Sequence, residues 1–196
     1  MESDKDKEKK NGESPAIAER LLESRTIIIS GQVDSDMAAR VLTQLVLLAH
    51  VDPKKRITLL SNCPGGDVYS GFAIFDAIQF IGCPVVSVVA GLAASMGSII
   101  PLAAGKGNRY ALPHAKFLIH QPLLIGYQGK ASDLEIQANE IIKDRERIAK
   151  LYADITGKPE DLIAKDIDRD KWMSAEEALE YGLIDKIVAS RADLPG

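Results

Sequence analysis

Apolar residues in this chain recur with two periods, one that suits strands and one that suits helices. Residues 26–30, Thr-Ile-Ile-Ile-Ser, are short and β-branched and predict a strand. Ser35 and Asp36 then supply capping side chains to a helix whose Met37, Val41, Leu42, Leu45 and Leu48 share one face. A second strand is expected over 56–61. Pro64-Gly65-Gly66 turns the chain from it into a helix carrying Phe72, Ile74, Phe75 and Ile78. A third strand, 84–89, breaks at small residues and enters an uncharged helical stretch. The last cycle takes Phe117-Leu118-Ile119 through a loop with Gly126 and Gly129 into a long helix from 131 to about 155. On that helix Glu135, Glu140, Lys143, Asp144 and Arg145 dilute the apolar stripe, which suits an exposed or interfacial helix. Alternating strands and helices predict an α/β fold with a largely parallel sheet and functional groups at strand ends.

Composition narrows the class. With 196 residues, 46% of them hydrophobic, the chain can bury one substantial core, and no repeat or long polar linker divides it. One domain is expected over 16–196, preceded by a disordered charged tail at 1–15 that has the character of neither a secretory signal nor a stable helix. A net charge of -4 with the two signs interspersed, and few aromatics, argues against a nucleic-acid partner. Cys63 and Cys83 lie in apolar surroundings without metal-ligand spacing, so a reducing cytoplasm is expected and neither a metal nor another cofactor is. Residues 77–105 carry no charge, but Gly82, Pro84, Gly91, Gly97 and Pro101 interrupt them. Buried strand plus buried helix fits that run better than a membrane span.

Ser95 stands where the third strand gives way to the uncharged helix, with Ala93 two before it and Gly97 two after. Small residues at those places allow the tight strand-to-helix turn that exposes a nucleophilic hydroxyl, and the amides that follow point at whatever it attacks. A general base must come from His50, His114 or His120. His120 ends an apolar strand, as Ser95 does, whereas His50 lies near a helix end and His114 in a loop. No Asp or Glu lies between Ser95 and His120, and His120 is the last histidine. The Ser-acid-His order of the α/β-hydrolases is therefore excluded, and an orienting acid comes before Ser95 or after His120.

Four segments carry a resemblance: Gly91-Leu92-Ala93-Ala94-Ser95-Met96-Gly97, Leu118-Ile119-His120-Gln121-Pro122, Asn62-Cys63-Pro64-Gly65-Gly66, and Asp168-Arg169-Asp170-Lys171-Trp172-Met173-Ser174. In order and spacing, over residues 21–188, they resemble the proteolytic subunit of the Clp protease, and four concurrent motifs are far more specific than one. The resemblance implies a spiral of βαβ units, shared with crotonases, and a protruding strand-helix handle at about 123–155. It implies Ser95 as nucleophile, His120 as base and Asp170 as the orienting acid. The backbone amides of Gly66 and Met96 correspond to the oxyanion hole. Gly65 and Leu123 correspond to positions that pair with the substrate backbone, and Pro122-Leu123-Leu124 to the strand that does so. Asp168 and Arg169 correspond to an inter-ring contact.

The same resemblance implies a self-compartmentalising serine endopeptidase of unfolded polypeptides and small peptides, built as homomeric or mixed double heptameric rings with a second Clp subunit. A Clp-type ATPase unfoldase would feed it, since the chain itself has no Walker-type loop ending Gly-Lys-Ser or Gly-Lys-Thr. A regulatory paralog that completes mixed rings and a crotonase-like acyl-CoA enzyme are the alternatives; the three triad positions in family order favour the peptidase. Leu92 stands where the family often has Gln, Cys63 where it often has Ser, and the loop after His120 is one residue longer. The apolar axial-loop segment typical of the family is not visible in residues 1–15.

Overall fold

The computed structural model describes residues 15–123, 126 and 128–195. The expected tail, Pro15 apart, and Leu124 of the expected substrate strand lie outside the described residues. Helix α1 (Pro15–Glu23) leads into β1 (Thr26–Ser30), α2 (Ser35–Val51), β2 (Ile57–Cys63), α3 (Val68–Phe80) and β3 (Val85–Ala94). A single turn, α4 (Met96–Ile99), continues into a 3-10 segment (Ile100–Ala104), followed by β4 (Arg109–Ala111) and β5 (Lys116–Ile119). The long α5 (Ala131–Thr156), α6 (Glu160–Asp166), β6 (Lys171–Ser174), α7 (Ala175–Tyr181), β7 (Lys186–Ile187) and a last 3-10 turn (Arg191–Asp193) follow.

The sheet runs β1-β2-β3-β4-β7, with β5 against the far half of β3 and β6 on the outer side of β5. Every pairing is parallel except β5 with β6. Alternation along β3 sends Val85 and Val89 into the main core, while Val86 and Val88 join Tyr110 and Val188 in a smaller cluster. The uncharged run is thus an internal strand followed by buried α4 and 3-10 turns. Among the described residues no helix is long and apolar enough to cross a membrane.

Several boundaries differ from the sequence expectation. Asp34, not Ser35 or Asp36, caps α2: its backbone is extended and its Oδ1 accepts from the Met37 amide at 2.8 Å. Strand β3 continues five residues beyond Val89. Its first half pairs with β4 and its last residues with β5, so the partner on that edge changes at about Gly91. A register shift in β2 between Ser61 and Cys63 lies opposite that point, and Asn62 Oδ1 there accepts from the Leu92 amide at 3.0 Å. Pro122 and Leu123 belong to no regular strand, so of the expected handle only the helix is a described element. In α5 nearly every residue from 131 to 140 is exposed, and burial starts at Ile148, Ala149 and Tyr152.

Candidate active site

Parallel register decides what meets at the end of β3. Ala94 lies beside Leu118, so the residues that follow, Ser95 and His120, leave neighbouring strands at the same edge. Antiparallel register decides the next contact. Ile119 lies opposite Lys171, and extending that ladder by one step places His120 opposite Asp170. The side chains meet there, with His120 Nδ1 and Asp170 Oδ1 3.0 Å apart. An ionised carboxylate only accepts, so the proton of a neutral imidazole sits on Nδ1 and leaves Nε2 as the acceptor. His120 is largely covered, its side chain 19% exposed, while Asp170 is 62% exposed. Among the described residues the Ser95 hydroxyl has no hydrogen bond to His120.

Ser95 has φ 54° and ψ -128°, a left-handed backbone that a non-glycine residue adopts at a cost on the order of 1–3 kcal/mol. Contacts on both sides hold it there. Its amide donates to the Leu118 carbonyl at 2.9 Å, and its own carbonyl accepts from Ser98 N at 2.9 Å and from Ser98 Oγ at 2.7 Å. Ser98 Oγ in turn lies 2.8 Å from the Tyr152 hydroxyl of α5.

The Gly65–Gly66 segment forms the facing wall. A Cβ on Gly65 would come within 2.6 Å of Ser95 Cβ and 2.7 Å of the Ala94 carbonyl, so the turn reaches the serine only because residue 65 has no side chain. Gly66 is pressed equally hard from behind, where a Cβ would lie 2.2 Å from the Val33 carbonyl. That side is fixed by hydrogen bonds from Val33 N to Gly65 O and from Asp67 N to Val33 O, both 2.8 Å. The amides of Gly66 and Met96 donate to no group among the described residues.

Beside Gly66 opens a cleft of about 230 Å3 between the start of α3 and the outer half of α5, with Tyr69, Pro122, Leu123, Glu140 and Asp144 among its walls. Leu123 is exposed. Asp168 and Arg169 sit on the surface before β6. Asp168 accepts from Gln121 Nε2 through its carbonyl at 3.0 Å and through Oδ1 at 3.3 Å, and its carboxylate lies 3.7 Å from Arg145 of α5. Arg169 extends into solvent, 3.9 Å from Asp168.

The structure therefore sets the Gly65–Gly66 turn against the Ser95–Met96 turn, pairs His120 with Asp170 at the adjoining strand ends, and leaves His50 and His114 elsewhere. Cys63 is wholly buried; burial pushes its thiol up, and the 3.4 Å hydrogen bond from the Gly65 amide only partly offsets this. A structural cysteine fits those facts and a reactive one does not. Ser98 and Tyr152 escape a reading of the sequence because each looks like ordinary core. The available signals were a hydroxyl three residues after Ser95 and an aromatic hydroxyl four residues after Ile148 on the apolar face of α5.

A family model described as Clp protease matches residues 8–191. The ATP-dependent Clp protease proteolytic subunit 1 of Protochlamydia amoebophila is 51% identical over 175 residues, which cover 89% of this chain and 85% of that one. Subunit 2 of Treponema denticola is 43% identical over 194 residues, 99% and 96% of the two chains. The proteolytic subunit of Porphyromonas gingivalis is 47% identical over 169 residues, 86% and 76%.

Proposed function

The chain belongs to the Clp protease family, a family of serine endopeptidases, and from that premise we propose that it hydrolyses peptide bonds with Ser95 as nucleophile, His120 as general base and Asp170 as orienter. Ser95 Oγ attacks the scissile carbonyl carbon while His120 Nε2 takes its proton. The carbonyl π electrons move onto oxygen, and the amides of Gly66 and Met96 donate to that oxyanion. As the tetrahedral intermediate collapses the C–N bond breaks, and the imidazolium hands its proton to the leaving amine. Water, deprotonated by the same Nε2, then attacks the acyl carbon; the C–Oγ bond breaks, the imidazolium returns its proton to Ser95 Oγ, and the new carboxylic acid leaves. Asp170 keeps the Nδ1 proton in place and stabilises the imidazolium throughout. The Ser95–His120 hydrogen bond forms in the working arrangement, since such bonds tighten in the substrate complex.

The observation that carries this reading is the His120–Asp170 contact at the strand ends beside a strained serine whose neighbouring amides donate to no group among the described residues. Gly65 and Leu123 flank the path an extended substrate backbone takes, and the cleft beside Gly66 receives a substrate side chain. Pairing mainly through the backbone gives broad sequence tolerance. The experiment is Asp170→Asn in the assembled protein. In a well-studied serine protease the equivalent change lowers turnover about 10⁴-fold, and a loss of at least about a hundredfold is expected here. Near-normal peptide turnover by Asp170→Asn would reduce Asp170 to a surface-turn residue that happens to touch His120.

Self-assembly into double rings that enclose the site is supported by large apolar side chains left open on one chain, with Phe80 87%, Ile136 59% and Trp172 56% exposed. Asp168 and Arg169 immediately precede Asp170, so an inter-ring contact through them would bear directly on the triad. A Clp ATPase delivers unfolded polypeptide to the chamber, as the ATP-dependent names of the relatives suggest, and a cytoplasmic setting fits both that partner and the free cysteines.

A further inference from the structure

The Ser95–Met96 peptide is one planar unit whose carbonyl and N–H point in opposite directions. Whatever fixes the Ser95 carbonyl therefore aims the Met96 amide. Two bonds from Ser98 fix it, and the shorter, 2.7 Å, comes from the hydroxyl. A serine hydroxyl has one proton, and a carbonyl can only accept, so that proton is committed to Ser95. At the other contact, 2.8 Å long, Ser98 Oγ is therefore the acceptor and the Tyr152 hydroxyl the donor. Burial pushes the Tyr152 hydroxyl well above its ordinary pKa, more than the bond to Ser98 offsets, and so it stays a donor. Ser98 and Tyr152 are 2% and 1% exposed, and the two residues are 54 positions apart.

Resting on the assignment of Met96 as an oxyanion donor, we propose that Ser98 and Tyr152 are positioning residues for the reaction: the chain Tyr152 Oη–Ser98 Oγ–Ser95 carbonyl holds the Met96 amide on the developing oxyanion. A buried serine near a helix start often bonds back to a carbonyl three residues earlier simply to satisfy itself. Here the carbonyl it reaches belongs to the strained nucleophile, and the hydroxyl is polarised from a second element. Because Tyr152 sits at the buried root of α5, the chain also ties the seating of that helix to the oxyanion site.

The contribution is to transition-state stabilisation, so it reads out in kcat and not in KM. The assembled full-length protein, Ser98→Ala, Tyr152→Phe and the double variant are compared for kcat per Ser95 titrated with a fluorophosphonate, for KM on a small peptide, and for inhibition by a peptide aldehyde that forms an oxyanion-bearing adduct. Ser98→Ala is expected to lower kcat per titrated site about tenfold, short of the ~10²–10³ that losing a donor outright costs. KM stays within about twofold, and aldehyde affinity falls in step with kcat. Tyr152→Phe, nearly isosteric, gives a smaller loss of about threefold. Added to Ser98→Ala it does nothing further, because it acts through Ser98. Full kcat per titrated site in both single variants, or losses that multiply in the double variant, overturns the proposal. Should Ser98→Ala fail to assemble, Tyr152→Phe decides alone, with unchanged kcat and aldehyde affinity as the contradicting result. A parent protein whose Ser95 is not labelled overturns the nucleophile assignment itself. Labelling at Ser95 with unaffected variants overturns only the positioning role.

Discussion

At the Gly65 turn a single methyl group separates an open site from a blocked one. Gly65 has φ +95°, and an added Cβ would sit 2.6 Å from Ser95 Cβ. Gly82 has φ +67° with nothing within 4 Å of the same added atom. The two glycines carry comparable backbone strain on substitution but differ in what the methyl meets. Gly82→Ala is expected to cost about 1 kcal/mol of stability and keep its peptide turnover. Gly65→Ala is expected to lose turnover by more than about a hundredfold, since Ser95, the proposed nucleophile, and both neighbouring amides are displaced. Melting temperature and peptide hydrolysis of the two variants side by side check this, and an active Gly65→Ala would mean the turn can retreat from Ser95. The serine was legible in the sequence because its signal is local: small residues at fixed offsets between a β-branched run and an uncharged helix. Asp170 was not legible on that basis. In the chain it stands in a charged run that reads as a solvated turn, and only the β5–β6 register, which no local pattern encodes, brings it to His120. The resemblance to a family singles it out, and the register accounts for its contact with His120.

Among the elements, those with strong apolar periodicity are legible in the chain, whereas the shortest strands and the short helices α1, α6 and α7 carry too few periodic residues to be. Strands β1 and β2 and helices α2, α3 and α5 announce themselves through apolar spacing. The sequence signal for β3 stops at Val89 because Ala90, Gly91, Leu92, Ala93 and Ala94 lack β-branched side chains. They stay extended because β2 holds one edge across a bulge and β5 holds the other. Strands β4, β6 and β7, four residues or fewer, exist through their partners alone. The link that seats β6 lies just outside the site. Asp166 accepts from Lys171 Nζ at 2.8 Å and from the Tyr181 hydroxyl at 2.7 Å, joining the end of α6, the start of β6 and the end of α7 around the Asp168–Asp170 loop. Burial would raise the Asp166 carboxyl, but the two hydrogen bonds and the charges of Lys171 and Lys158 outweigh it and hold it below the usual range. A depressed carboxylate stabilises fully above its unfolded value, near ~3.9, and loses that contribution as pH falls through the lower folded one. Asp166→Asn should therefore unfold more easily at pH 7, by about 2 kcal/mol. The gap from the parent should close below about pH 4 in denaturant titrations. A gap that stays constant down to pH 2 would show that the ionised form contributes nothing.

At the scale of the whole molecule, one chain leaves exposed apolar side chains that a ring would cover, and the proposed site would be served by a separate motor. The purified chain is expected to sediment as a species many times the mass of one subunit and to cleave small peptides weakly. Folded proteins should be cleaved hardly at all without an ATPase. Coexpression with a second Clp subunit from the same cell is expected to give a mixed assembly more active, with unfoldase present, than either component. Robust unfoldase-dependent proteolysis by this chain alone would remove the need for a mixed ring. All of this depends on Ser95 being the group that attacks. The most direct measurement is to inhibit the assembled protein with a fluorophosphonate and map the adduct by mass spectrometry while following peptide turnover. The account predicts one adduct per chain, on the peptide containing Ser95, with turnover falling in proportion to labelling and no adduct on Ser95→Ala. Modification at a different residue, or turnover that survives complete labelling of Ser95, would contradict it.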